Sequence, residues 1–176
     1  MLKSLYWRLN FFFKNRKSKR LKKRLGNNSS TLTVNTKNGT FVIDPADLEV
    51  SRKLAVKGEY GTEEIIQISK FIDNKSTVLI VGAHIGSLAI PIAKLCSELV
   101  AIEANPNNFK LLETNIKLNN ISNILAHNIA ASEKDEIIQF QLNTVNSGGS
   151  KRVPINNHYM YTCLLYTSPS PRDLRA

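Results

Sequence analysis

The sequence predicts an α/β fold with a parallel sheet, and three observations carry that reading. Val78 to Val81 is a continuous apolar run suited to a strand buried on both faces, and it leads directly into a glycine loop, Gly82 to Gly86. Leu88, Ala89, Ile92 and Ala93 then recur at helical spacing. A second apolar strand, Leu99 to Ile102, ends in Glu103, 17 residues beyond Gly86. Strand, loop, helix, strand and acid in that order form a nucleotide-type pocket at the carboxyl ends of parallel strands, where the acid can accept the hydroxyl protons of a ribose. Gly82 and Gly86 give the loop clearance and positive φ where required, and the helix start is expected to offer unpaired N–H groups.

The elements before this core follow from local signals. Residues 1–26 hold ten Lys or Arg and no acid, while the rest of the chain carries 14 charges of each sign, so the net charge of +10 belongs to an arm and not to the pocket. Within it Leu2, Leu5, Tyr6, Leu9, Phe12 and Phe13 share one face of a basic amphipathic helix, with Trp7 beside them. Its readings are an anionic membrane surface, a partner chain or a solvated extension; nucleic acid is disfavoured because no aromatic platforms are interleaved in the basic run. Residues 27–76 read as a hairpin and helical cover. Thr31 to Thr36 and Thr40 to Ile43 flank a turn containing Asn38 and Gly39, a hairpin signal. A helix is expected over Ala46 to Val56, broken by Gly58 and Gly61, and Thr62 is placed to cap a further helix carrying Ile65, Ile66, Ile68 and Phe71. Glu59 and Tyr60, in the break, are placed where they could touch the ligand, with a solvated loop as the preferred reading.

Residues 77–162 hold the core. After Glu103, Asn105 and Pro106 start a helix with Phe109, Leu112 and Ile116 facing inward and Asn119 and Asn120 ending it. Asn123 to Asn128 is a third strand, Ala130 to Asp135 a turn, and Glu136 to Leu142 a fourth, amphipathic strand. Right-handed crossovers put the first three strands, from Val78, Leu99 and Asn123, in the spatial order third, second, first.

Two cysteines, Cys96 and Cys163, are too few and too far apart for a zinc cluster or a disulfide framework, and Cys96 reads as a small buried apolar residue. No metal is expected. No run reaches the roughly 18 apolar residues of a membrane span, and no secretory signal is recognised. The expected location is the cytoplasm, with peripheral membrane attachment through the arm as a variant.

Residues from about Thr77 to Ser150 resemble the N-terminal half of FkbM-type methyltransferases, which are S-adenosylmethionine-dependent O-methyltransferases with a Rossmann-like class I methyltransferase fold. The resemblance is carried by VGAHIG, AIEANPNNFKLLETNIKLNN, NILAHNIAAS and NSGGS. It implies S-adenosylmethionine as cofactor, a sugar or other small hydroxyl compound as acceptor, and a set of cofactor-binding residues. Gly82, Ala83, His84 and Gly86 match the loop beside the methionine part, Glu103 the ribose acid, Asn105 the adjacent turn, and Asn128 the border of the adenine. Ile80 stands where that family usually has Asp, and His84 where it usually has Asn, so that His84 either replaces Asn as a hydrogen-bond donor or faces solvent. The acceptor side belongs to a second half not found in this chain, so no catalytic residue is assigned.

Cys163 to Ala176, beginning CLLYTSPSPRD, resembles a translated sequencing-library adapter and is set aside as non-native, with the domain expected to stop near Thr162. A chain cut there leaves the Val78 strand on an open apolar edge and is expected to be inactive. The alternatives are a fragment of a nicotinamide (NAD) oxidoreductase, although GAHIG lacks the full G-x-G-x-x-G spacing, and a non-catalytic membrane- or partner-binding arm on an incomplete domain.

Overall fold

The computed structural model describes residues 30–132 continuously, strand segments at 137–141, 151–153 and 162–167, and within the first 26 residues positions 12, 13, 16, 20 and 23–26. At its centre lie three parallel strands, β3 (Thr77–Val81), β4 (Glu98–Ile102) and β5 (Ile124–His127), in the order β3-β4-β5. This is the predicted third, second, first arrangement. The crossover after β3 passes through the loop and the short helix α3 (Ala89–Ala93), and that after β4 through α4 (Pro106–Leu118). Both helices pack on one sheet face, where Ala89, Ile92, Ala93, Leu99, Ala101 and Leu112 are buried with Cys96. Helix α4 starts as its sequence indicates: Asn105 is the N-cap, accepting the Asn107 N–H on its side chain, and Pro106 follows, where a missing N–H costs nothing.

The other sheet face differs from expectation. Along β3 only Val78 and Ile80 face the helices, while Leu79 and Val81 are more than half exposed, as is Leu125 on β5. The apolar run that predicted burial on both faces is therefore covered on one face by the described residues. Its composition reports what the strand could bury, not which partner layer lies there.

The cover packs outside the helices. Strands β1 (Leu32–Thr36) and β2 (Gly39–Ile43) form the predicted hairpin, with Thr36 opposite Gly39. The positive φ falls on Gly39 (134°), not on Asn38. Phe41 and Ile43 of β2, Val50 and Leu54 of α1 (Val50–Lys57), and Ile85 and Ile90 make a second buried cluster. Helix α1 starts later than the predicted Ala46, because Asp44 and Asp47 turn their carboxylates back onto the backbone N–H groups of Ala46 and of Glu49 and Ser51. It ends at Gly58 (φ 69°), whose N–H returns to the Leu54 carbonyl. Helix α2 (Thr62–Ser69) has Gly61, not Thr62, at its cap. Gly61 adopts φ 66° with the Leu88 side chain where a Cβ would stand, so this position requires glycine. Ile66 and Phe71, expected to supply apolar surface, are exposed.

Ala130–Ser132, predicted as part of a turn, is strand β6. It belongs to a second sheet with β7 (Ile137–Gln141), β8 (Lys151–Val153) and β9 (Thr162–Thr167), in the order β6-β9-β7-β8. Most of β9 comes from the segment set aside as non-native. The β6–β9 pairing joins residues more than thirty positions apart (Ala130 with Leu165), which no local pattern signals. Of the arm, Phe12 and Phe13 are exposed, with the Arg16 guanidinium 5.6 Å from the Phe12 ring centroid. The remaining apolar positions of its predicted face lie outside the described residues. Among the described residues no helix is long and apolar enough to cross a membrane, and no group of three His, Cys, Asp or Glu could hold a metal ion.

Candidate functional site

At the carboxyl ends of β3 and β4 an open cavity of about 590 Å³ is lined by Ile80 to His84, Ile102 to Asn105, Ile129 to Ala131, Ser87 and Leu88, and by Glu49, Val50 and Tyr60 from the cover. Glu103 is its anchor. It is buried, and its two oxygens are held by three N–H donors. The His84 backbone N–H donates to Oε2 at 2.7 Å, the Asn105 N–H to Oε1 at 2.8 Å, and the Asn108 side-chain amide to Oε1 at 3.5 Å. A carboxylate so fixed keeps acceptor capacity toward the cavity without freedom to swing.

Four of the loop's own N–H groups are consumed. Those of Gly82 and Ala83 both donate to the Ile102 carbonyl (2.8 and 2.9 Å), that of His84 goes to Glu103, and that of Gly86 returns to Ala83. The expected display of unpaired N–H groups therefore fails at these positions. The backbone closes on the end of β4 and on itself instead of opening a cradle for phosphate.

The two glycines have separate tasks. Gly82 (φ 83°) would point a Cβ into open space, so the cavity approaches the backbone there. Gly86 (φ 90°) does not line the cavity; a Cβ on it would meet Leu112 Cδ1 at 2.9 Å and Ile90 Cδ1 at 3.2 Å, which makes it the point where the loop closes against α4. His84 is a non-glycine residue at φ 54° and is buried, so the solvent-facing alternative for it is excluded. Burial lowers its pKa from the ordinary 6.5, opposed by the nearby Asp47 and Glu103 carboxylates.

Of the predicted cofactor residues, Gly82, Ala83, His84, Glu103 and Asn105 meet at the cavity, whereas Gly86 and Asn128 lie outside its lining. Asn128 works from behind, its side-chain amide donating to the Glu103 and Ala104 carbonyls (2.7 and 3.3 Å) and so tying the end of β5 to the end of β4. The two residues after it, Ile129 and Ala130, line the cavity. Sequence reasoning did not assign Glu49 to the site, and it preferred a solvated loop for Tyr60, which lines the cavity. Tyr60 is half-buried, its backbone N–H and C=O both held by the Asn38 side chain, which also donates to the Ser87 carbonyl at 2.9 Å. Asn38 thus seats the Tyr60 loop against the glycine loop. Its partners, Tyr60 and Ser87, are distant in sequence, so it read only as a turn former. Glu59 does remain at the surface, paired with Lys37 at 2.8 Å.

Residues 33–146 match the TRM5/TYW2 methyltransferase domain model, well over half of the chain. The chain belongs to that family. A curated relative, the 23S rRNA (uracil(1939)-C(5))-methyltransferase RlmD of Legionella pneumophila, is 28% identical over 117 residues, 64% of this chain and 24% of that protein. The chain thus spans about a quarter of that relative's length. Two solved structures are similar. TYW2 of M. jannaschii in complex with AdoMet has 25% identity and a TM-score of 0.47, over 57% of this chain and 43% of that one. The complex of aTrm5 and tRNALeu has 25% identity and a TM-score of 0.45, over 57% and 28%.

The TRM5/TYW2 match bears out the Rossmann-like α/β methyltransferase fold, the methyltransferase class of the family and S-adenosylmethionine as that family's cofactor. It overturns the FkbM resemblance: a glycine loop, a strand-end acid and a capped helix start are what a nucleoside cofactor asks of this fold, so they do not by themselves choose a family. The sugar-type acceptor rested on that resemblance and falls with it. The reading that disfavoured nucleic acid falls too, since a curated relative of this chain is an rRNA methyltransferase.

Proposed function

We propose that this protein transfers a methyl group from S-adenosylmethionine to RNA, and that the cavity at the ends of β3 and β4 holds the cofactor. The observation that carries the cofactor part is electrostatic. Among the described residues, two carboxylates, Glu49 and Glu103, line the cavity and no Lys or Arg does, while the loop N–H groups of Gly82, Ala83, His84 and Gly86 are spent inside the protein. Such a site suits a ligand with net positive charge, as a sulfonium amino acid is, and repels the diphosphate of NAD. Glu103 takes the ribose hydroxyls, Gly82, Ala83 and His84 flank the methionine part, Asn105 and Asn128 hold the acid's turn, and Ile129 and Ala130 border the adenine. The cofactor supplies an electrophilic methyl group. The chain's residues bind and orient it and keep an apolar wall around it.

RNA as acceptor is supported by the family match and by the named RNA methyltransferase relative. The ten basic residues of the arm fit the same reading, because cationic segments bind phosphate backbones without reading sequence. Calorimetric titration with S-adenosylhomocysteine and with NAD, followed by transfer of labelled methyl from S-adenosylmethionine to total RNA, tests both parts. Binding of S-adenosylhomocysteine but not NAD, and label in RNA, are expected. Binding of NAD in preference would refute the cofactor assignment, and label only in small molecules would refute the acceptor.

A further inference from the structure

We propose that Glu49, at the start of α1, receives the ammonium of the cofactor's methionine, so that the two cavity carboxylates grip opposite ends of the ligand. The inference rests on the cofactor assignment above. S-adenosylmethionine presents two features that call for an anionic or strongly accepting partner, the ribose diol and the amino-acid ammonium. Glu103 sits at the end of β4, held by three N–H donors, and suits the diol. At the end of β3 the strand offers Ile80, which cannot accept a hydrogen bond. Asp47 is nearby, but it is buried, outside the lining, and occupied with the N–H groups of Glu49 and Ser51. Glu49 is the remaining carboxylate of the cavity wall.

A second observation shows what this corner attracts. The Lys53 ammonium lies 3.9 Å from Glu49 Oε2 and 5.3 Å from the Tyr60 ring centroid. A carboxylate and an aromatic face thus already share a primary ammonium, and both of them also line the cavity, which Lys53 does not. A ligand ammonium would find the same pair from the cavity side, with charge-assisted hydrogen bonding to Glu49 and cation–π attraction to Tyr60.

The test compares two ligands on the full chain by calorimetry: S-adenosylhomocysteine, and methylthioadenosine, which keeps the nucleoside and sulfur but lacks the amino-acid end. Glu49→Gln should weaken S-adenosylhomocysteine about tenfold while leaving methylthioadenosine within about twofold. Unchanged affinity for both ligands, or equal weakening of both, would overturn the proposal. Retained methylthioadenosine binding also reports that the variant is folded. A wild-type protein that binds neither ligand would instead refute the cofactor assignment itself.

Discussion

Glu103 shows how one residue can be both structural and functional. Its carboxylate accepts the N–H groups of His84 and Asn105, from the two loops that follow β3 and β4, so the acid shapes the pocket it serves. Glu103→Gln keeps the shape but turns an amide nitrogen toward a backbone N–H, and it removes the charge. We expect S-adenosylhomocysteine binding to weaken by roughly 1.5 to 3 kcal/mol, the scale of a hydrogen bond to a charged group. Glu113→Gln, exposed on α4, should leave it unchanged. Equal affinities in the two variants would show that the acid does not face the ligand.

His84 supplies a second residue-scale prediction. Its pKa is lowered by burial, so below the ordinary value of 6.5 the unfolded chain binds a proton that the folded protein resists. Stability contributed by the neutral imidazole is full above that value and is lost as pH falls through it. Asn tolerates the left-handed backbone that His84 occupies and does not titrate. Urea unfolding at about pH 7.5 and about pH 5.5 should therefore show a smaller acid-side loss in His84→Asn than in the wild type. Identical losses would mean that another group governs the acid limb.

At the scale of elements, asparagines join the cover to the core. Asn115 and Asn119, one turn apart on α4, meet the outer edge of β2 as a neighbouring strand would. Asn115 accepts the Val42 N–H at 2.7 Å and donates to the Val42 and Ile85 carbonyls, and Asn119 accepts the Thr40 N–H at 2.9 Å and donates to the Thr40 carbonyl. A hairpin edge that would otherwise be open is thereby closed by side-chain amides. Asn115 is fully buried, so Asn115→Leu should cost about 3 kcal/mol in chemical denaturation: the apolar side chain fills the space but strands the buried Ile85 carbonyl and the partly buried Val42 N–H and C=O. Asn119→Leu, at a partly exposed position, should cost less. A neutral Asn115→Leu would mean that water can replace the amide.

At the scale of the whole molecule, one sheet face is left uncovered by the described residues. Leu79 lies beside Val100 and then Leu125 across β3, β4 and β5, and Val81 beside Ile102, so exposed and half-exposed apolar side chains form one patch beside β3, which is an edge strand among the described residues. Patches of this kind promote association. Leu79→Lys should reduce light scattering on heating while leaving the unfolding midpoint unchanged, because this side chain is already more than half exposed. A lowered midpoint would mean that the face is packed in solution.

The sequence by itself determined the elements whose signals are local: the order of the three parallel strands, the hairpin, the glycine loop, the Asn-Pro start of α4, and the acid that follows β4. Each depends on residues within one turn or one strand of another, or on a topology rule that holds for any right-handed crossover. Only the tertiary structure decided which of these residues meet. Tyr60 reaches the cavity because Asn38 binds the Tyr60 and Ser87 backbones at once, and Glu49 where the Asp47 carboxylate holds its N–H; Gly86 turns from the cavity because α4 presses on it; β6 is a strand because a partner more than thirty residues away pairs with it. The choice between related methyltransferase families escaped the sequence reading for a similar reason. The cofactor dictates the loop, the acid and the helix start in all of them, so these motifs report what is bound and not which molecule is methylated.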